Sequence, residues 1–308
     1  MLSAPRPQLK FRGSADTPRM RIRYIVCTLA LSMSAGCGLL GQKDSPTAPS
    51  GPPSSGTAIV YSVVGASDVV GYGSSKACLP FEDCDGNGYA WVAARQLRSQ
   101  GFTVTVGQLG IPGAVISRTF QDLALQYGRT AVPLNLIESE MPFVRKDATV
   151  VTVFTGGNDV NVITSALGKG AGGSNPNAFI DERVAGFAAD YAALVAGIRG
   201  RAPRARIIAL NLPNLAALPY LASATLAQKQ AAQRAAVRMT TTGINTIPDV
   251  SVIDLMCDAR FYQGSTYSAD GFHPSDGGYA IMAGAIVMAI NAGASSPPKA
   301  SCPQMTLY

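Results

Sequence analysis

The 308-residue chain has one histidine, His273, and one tryptophan, Trp91. A single imidazole excludes every site that needs two, including the H-E-x-x-H zinc-protease arrangement and multi-histidine metal cages. Charge is also scarce, at 14% of residues against about 25% in an average soluble chain. Hydrophobic residues reach 47%, which excludes disorder as the general state and supports one large core. Any imidazole chemistry in this protein must belong to His273.

The net charge of +6 is concentrated at one end. Residues 1–36 hold Arg6, Lys10, Arg12, Arg19, Arg21 and Arg23 against Asp16 alone, while the remainder carries 19 basic and 18 acidic residues. A nearly neutral body lacks the positive field that drives phosphate binding, so no nucleic-acid partner is expected. The basic start runs into an apolar stretch, Tyr24 to Met33, and then Ser34-Ala35-Gly36-Cys37. That order reads as a signal peptide, with Met20 as a second candidate start, and its apolar stretch is far short of the roughly 20 residues of a spanning helix. The site resembles a bacterial lipobox, with Cys37 as the lipidated first residue of the mature chain. Ser34 stands where an aliphatic residue is usual, which leaves ordinary signal-peptidase cleavage as the alternative. Gly38 is not the aspartate of inner-membrane retention, so the expected location is the cell envelope, at the outer membrane through a lipid anchor only, or outside the cell.

The expected organisation is a leader over 1–37, a Pro/Ser/Gly-rich tether over 38–57 that cannot pack, a catalytic body over 58–294 and a tail over 295–308. Removal of Cys27 and Cys37 leaves four thiols in an exported protein, hence two disulfides. Of three connectivities, Cys78–Cys84 and Cys257–Cys302 are favoured. The first pair is close in sequence, and the second would pin the Pro-rich tail.

From Ala58 onward, short apolar runs alternate with helical stretches. The expected strands are Ala58–Val64, Phe102–Val106, Thr149–Phe154, Arg206–Leu210 and Val250–Leu255, nearly all apolar as in parallel strands covered on both faces. The expected helices are Tyr89–Gln100, Arg118–Tyr127, Leu134–Val144, Phe179–Arg199, Ala222–Asn245 and Asp276–Asn291. This alternation predicts an α/β fold, three layers in α/β/α order around a central parallel sheet of about five strands. Ligands in such sheets sit beyond the carboxyl ends of the strands. Those positions read Gly65-Ala66-Ser67-Asp68, Gly110-Ile111-Pro112-Gly113, Gly156-Gly157-Asn158-Asp159 and, later, Asp270-Gly271-Phe272-His273.

These are the parts of a serine hydrolase. A serine hydroxyl becomes a nucleophile when a base takes its proton, and an aspartate three residues before His273 can orient the ring. Developing carbonyl charge then needs fixed donors. Here the chain resembles the SGNH, or GDSL-type, esterase and lipase family over roughly residues 58–294. The resemblance implies the flavodoxin-like fold of that family, a nucleophile at Ser67, a base at His273 and its partner at Asp270. It further implies an oxyanion hole from Ser67 N–H, Gly113 N–H and the Asn158 amide, with no metal and no cofactor. Two departures stand out. Ala66 replaces the aspartate of Gly-Asp-Ser while Asp68 follows the serine, and Gln108 stands where the second block often has asparagine. The Gly-x-Ser-x-Gly elbow of α/β-hydrolases is absent.

The implied activity is hydrolysis of lipid or other small acyl esters by a monomer. Deacetylation of a polysaccharide and a non-catalytic envelope-binding role are the alternatives. Several other features carry weaker expectations. Asp83-Cys84-Asp85-Gly86-Asn87-Gly88 resembles the opening of a calcium loop but has Ala94 in place of its glutamate, so a disulfide-closed turn before Tyr89 is preferred. Asp254 reads as a strand end, Asp258 as a lesser alternative carboxylate, and Trp91 as helix core. The Gly/Ser-rich segment Asn161–Asn177 reads as a mobile loop that either gates or shapes the acyl pocket or is a passive insertion.

Overall fold

The structure is a computed structural model that describes residues 51–54, 56–79, 84–128, 134–293 and 296–308. The leader, Cys37 and most of the tether lie outside the described residues, as does Asp83.

Five strands form one parallel sheet: β1 Ala58–Gly65, β2 Thr103–Gln108, β3 Val150–Phe154, β4 Arg206–Leu210 and β5 Ser251–Ile253. Their order is β2-β1-β3-β4-β5. Every residue of β3 and β4 is buried, because helices cover both faces. The helices are α1 Tyr89–Ser99, α2 Arg118–Gln126, α3 Leu136–Ser139, α4 Gly157–Gly168, α5 Pro176–Arg201, α6 Leu226–Arg238 and α7 Asp276–Ala292. α1 and α7 pack against each other, while α2, α4, α5 and α6 form the second group. This is the three-layer α/β/α architecture expected from the alternation of apolar runs. The chain winds to either side of β1, so the crevice between the ends of β1 and β3 is the topological switch point where ligands collect.

Three expected elements differ. The segment Asn161–Asn177 is not a mobile loop: its first half belongs to α4, where Val160, Val162, Ile163 and Ala166 are buried, and a new helix starts at Pro176. Glycine and serine in the composition hid an apolar helical face. The expected helix Leu134–Val144 shrinks to α3 and a single tighter turn at Met141–Phe143, since Pro142 has no N–H to continue the ladder. The expected Ala222–Asn245 helix starts only at Leu226, where Thr225 and Gln228 form a reciprocal capping box, and it passes into a wider π turn at Met239–Gly243.

Both disulfides join the favoured partners, Cys78 with Cys84 and Cys257 with Cys302. The tail is stitched down beyond its disulfide. Lys299 N–H donates to Asp254 at 2.9 Å and Asn214 Nδ2 donates to the Gln304 carbonyl at 2.8 Å, while Met305 is buried. The second bridge closes a span of 45 residues, so the double variant Cys257→Ala/Cys302→Ala is expected to lose about 2–4 kcal/mol of stability. Urea denaturation of the purified body measures this loss.

Candidate active site

The loops at the carboxyl ends of β1, β2 and β3 meet around one open cleft. β1 ends at Gly65, where a Cβ would lie 2.2 Å from the Phe154 carbonyl oxygen. Only glycine lets β1 run beside β3 to that point and then turn outward. Two residues on, Ser67 is buried except for access from the cleft, and its Oγ lies 2.8 Å from His273 Nε2. His273 Nδ1 lies 2.6 Å from Asp270 Oδ2.

Asp270 sits in a tight loop whose own donors converge on it. Its Oδ1 accepts from the N–H groups of Phe272 and His273 and from Ser268 Oγ, each at 2.9 Å. Partial burial alone would raise its pKa, but the His273 ring and these donors outweigh it and hold the carboxyl at about 2. Asp270 is therefore ionised at neutral pH and can only accept. The proton on Nδ1 follows, and Nε2 is left to accept the Ser67 hydroxyl proton. Tyr72 and Phe272 flank the imidazole with ring centroids 4.6 and 4.9 Å away.

Asn158 occupies the first turn of α4. Its Nδ2 donates one hydrogen to the Ala114 carbonyl at 2.9 Å, which fixes the amide and leaves its second hydrogen. Gly113 has φ +78°, a conformation glycine adopts without strain. Among the described residues, neither Ser67 N–H nor Gly113 N–H donates to a protein acceptor. Ser67, Gly113, Asn158 and His273 line the same cleft, of about 360 Å³. All five residues singled out from the sequence thus come together, although they are drawn from three separate loops and the first turn of α4.

Two further carboxyls hold these loops from behind, and one of them carried no sequence signal. Glu140 is fully buried. Its two oxygens accept from Gly65 N–H at 2.9 Å and Ile111 N–H at 3.1 Å, tying the first loop to the second. Burial pushes this carboxyl well above the ordinary range, and the two N–H donors pull only partly back. Asp159, also buried, accepts from Ile116 N–H at 2.9 Å. Its adjacency to Asn158 was a hint, whereas a glutamate two residues before a proline belongs to no pattern.

The remaining candidates have other partners. Asp254 accepts from Asn211 at 3.0 Å and from Cys257 N–H at 3.2 Å, away from His273. Asp258 pairs with Arg260 at 2.6 Å. Trp91 is core, and its Nε1 donates to Gln108 Oε1 at 2.8 Å. Gln108 in turn donates to the Leu79 carbonyl at 2.9 Å, so it anchors the disulfide loop rather than the cleft. Asp85 forms an ion pair with Arg95, which also donates to the Gly86 carbonyl and to Asn87 Oδ1. The oxygens of the calcium-like stretch serve a guanidinium, and among the described residues no group of three or more His, Cys, Asp or Glu could hold a metal ion.

Residues 63–281 match the GDSL-like Lipase/Acylhydrolase family. The chain belongs to that family. It is a serine ester hydrolase by that membership. Solved structures similar to it include the lipase Lip_vut3 from a goat rumen metagenome, at 19% identity and a TM-score of 0.49 over 76% of this chain and 98% of that one. Another is a lipase/acylhydrolase from Enterococcus faecalis, at 18% identity and TM-score 0.46, covering 78% and 99%. A family two carbohydrate esterase from Clostridium thermocellum has 17% identity and TM-score 0.44, covering 75% and 63%. No curated protein matches the chain.

The Glu140 clamp of this GDSL-like hydrolase requires two acceptor oxygens. In Glu140→Gln the amide nitrogen faces one of the two N–H groups, and the variant is expected to lose about 1–3 kcal/mol of stability through the unpaired donor. A reduced kcat should accompany it, since both loops supply groups to the cleft. Urea denaturation and steady-state kinetics on one preparation check both effects.

Proposed function

We propose that this GDSL-like hydrolase cleaves carboxylic esters through an acyl-enzyme on Ser67. The observation that carries the reading is the relay Ser67 Oγ to His273 Nε2 at 2.8 Å and His273 Nδ1 to Asp270 at 2.6 Å. Ser67 Oγ attacks the ester carbonyl carbon as its proton passes to Nε2, and Asp270 stabilises the imidazolium that forms. Negative charge on the carbonyl oxygen is met by Ser67 N–H, Gly113 N–H and the free hydrogen of Asn158, donors worth about 2.7–4 kcal/mol each. As the intermediate collapses, the bond to the alcohol oxygen breaks and that oxygen takes the proton from His273. Water then gives a proton to Nε2 and attacks the acyl carbon. Collapse expels Ser67, which recovers its proton, and releases the acid. The scheme needs no metal or organic cofactor.

The substrate in this proposal is a small acyl or lipid ester. A second reading, an ester on a polysaccharide, is favoured by Tyr72, which is 53% exposed at the cleft and offers a flat apolar face of the kind on which a sugar ring packs. With p-nitrophenyl esters of short and long acids, Ser67→Ala and His273→Ala are each expected to lower kcat at least about a thousandfold. Unchanged activity in both variants overturns the reading. Failure of Ser67 to react with a fluorophosphonate probe, together with saturable glycan binding, would favour the non-catalytic alternative.

The same proposal includes export as a monomer anchored only by a lipid on Cys37 at the outer membrane, with residues 38–57 as tether. Two disulfides fit an oxidising compartment. Cys37→Ala is expected to move the protein from the detergent-extracted membrane fraction to the soluble one. Equal partitioning of the two forms would exclude the anchor.

A further inference from the structure

Behind the nucleophile lies a second, more enclosed cavity of about 40 Å³ at the ends of β3 and β4. It shares Asn158 and Phe272 with the open cleft, and Ala66 and Asp68 on either side of Ser67 line it, while Ser67, Gly113 and His273 line only the cleft. That difference orients an ester whose carbonyl carbon is at Ser67 and whose oxygen is at Asn158. The leaving alcohol must receive its proton from His273 and depart, so it belongs in the cleft. The acyl chain must stay, and the enclosed cavity is left for it. A single water needs about 10–15 Å³ of such space, so the cavity holds about three non-hydrogen atoms beyond the carbonyl.

The lining is apolar in most directions, with Phe154, Leu212, Leu215 and Phe261 among its walls. Two polar side chains break it. Thr155, 4% exposed, has a buried hydroxyl with no hydrogen-bond partner. Asp68 is half-buried, and no other described residue donates to its carboxyl. Burial raises the pKa of this carboxyl, while the nearby His273 lowers it. The residues that open α4, Gly157 and Asn158, also line the cavity, and among the described residues their N–H groups donate to no protein acceptor.

An apolar chamber with a carboxyl that accepts from no other described residue, an orphaned hydroxyl and free N–H groups suits a ligand that both donates and accepts. A neutral hydroxyl does both. An ammonium only donates, and the positive end of α4 opens on the same space. We propose that the cavity around Asp68 and Thr155 is an acyl subsite that selects esters of short hydroxy acids, the acyl hydroxyl donating to Asp68 and accepting from Thr155. This rests on the reading of Ser67 as nucleophile. It also gives a role to a departure in the first motif: Ala66 lines the cavity with only a methyl, and the carboxyl enters from the other side of the serine.

The test uses three 4-methylumbelliferyl esters of equal size, with 2-hydroxypropionyl, 2-methylpropionyl and 2-aminopropionyl acids, each rate divided by its hydroxide-catalysed rate. The hydroxy ester is expected to lead the methyl ester by about tenfold in normalised kcat/KM, the worth of one well-placed hydrogen bond. That ratio should fall toward one in Thr155→Val and in Asp68→Ala, each of which removes one partner of the acyl hydroxyl. A wild-type ratio near one overturns the proposal without recourse to any variant. A ratio that persists in both variants, or a lead for the amino ester, overturns it as well. Full turnover of all three esters by Ser67→Ala would instead remove the nucleophile assignment, so the two failures are distinct.

Discussion

The hydrogen bond between Ser67 and His273 joins residues 206 apart in the chain, and neither loop holds its position unaided. The first loop is fixed because β1 lies inside the sheet, paired on both sides, and ends at a glycine against Phe154. The last loop is fixed by Asp270, whose oxygens gather four donors within a span of six residues. Each loop therefore has contacts of its own besides the one between them. That is the preorganisation a proton relay requires.

The donors that face the cleft are mostly backbone amides, whose positions depend on what holds the residues beside them. Glu140 takes the N–H of Gly65 and of Ile111, each two residues before a group of the proposed oxyanion hole. Asp159 takes that of Ile116, just past Gly113. With neighbouring amides paired from behind, those of Ser67 and Gly113 are left open toward the cleft. An unpaired buried N–H costs about 1–3 kcal/mol, and the buried acceptors behind the loops help the fold tolerate that cost. Three carboxyls thus sit in three environments: Asp270 ionised by converging donors, Glu140 raised by burial, and Asp68 raised by burial but with the imidazole nearby and no donor from another described residue. Environment, not residue type, divides their roles.

The sheet was legible because the central strands are short, nearly unbroken apolar runs, the edge strand β2 alternates Thr and Val, and these runs are separated by longer amphipathic ones. Ser67, Gly113, Asn158, Asp270 and His273 were legible because strand-end loops carry them in one order. α4 was not, since its apolar residues are interrupted by Gly, Asn, Thr and Ser, so that composition hid the periodicity of Val160, Ile163 and Ala166. Glu140 was not, because a buried carboxyl whose partners are backbone amides of two other loops leaves no trace in local sequence. The break at Pro142 is written in the sequence, since the residue before a proline is pushed out of helical geometry, but helical apolar spacing runs on across it and masks the break.

Two departures from the family pattern looked equivalent in sequence and differ in consequence. Gln108 ends β2 close to the loops, yet its amide is fully engaged by Trp91 and the carbonyls of the disulfide loop, so the change is absorbed as packing. Asp68 accepts from no other described residue and lines a cavity adjoining the cleft that Ser67 lines. The difference lies in the strand geometry. Side chains alternate along β2, and the one at Gln108 points toward α1, where Trp91 waits, whereas the turn after Gly65 has left the sheet and its side chains are free to face the crevice. Motif proximity therefore does not measure functional proximity here. What separates the two residues is whether the fold engages the side chain elsewhere, as it does for Gln108.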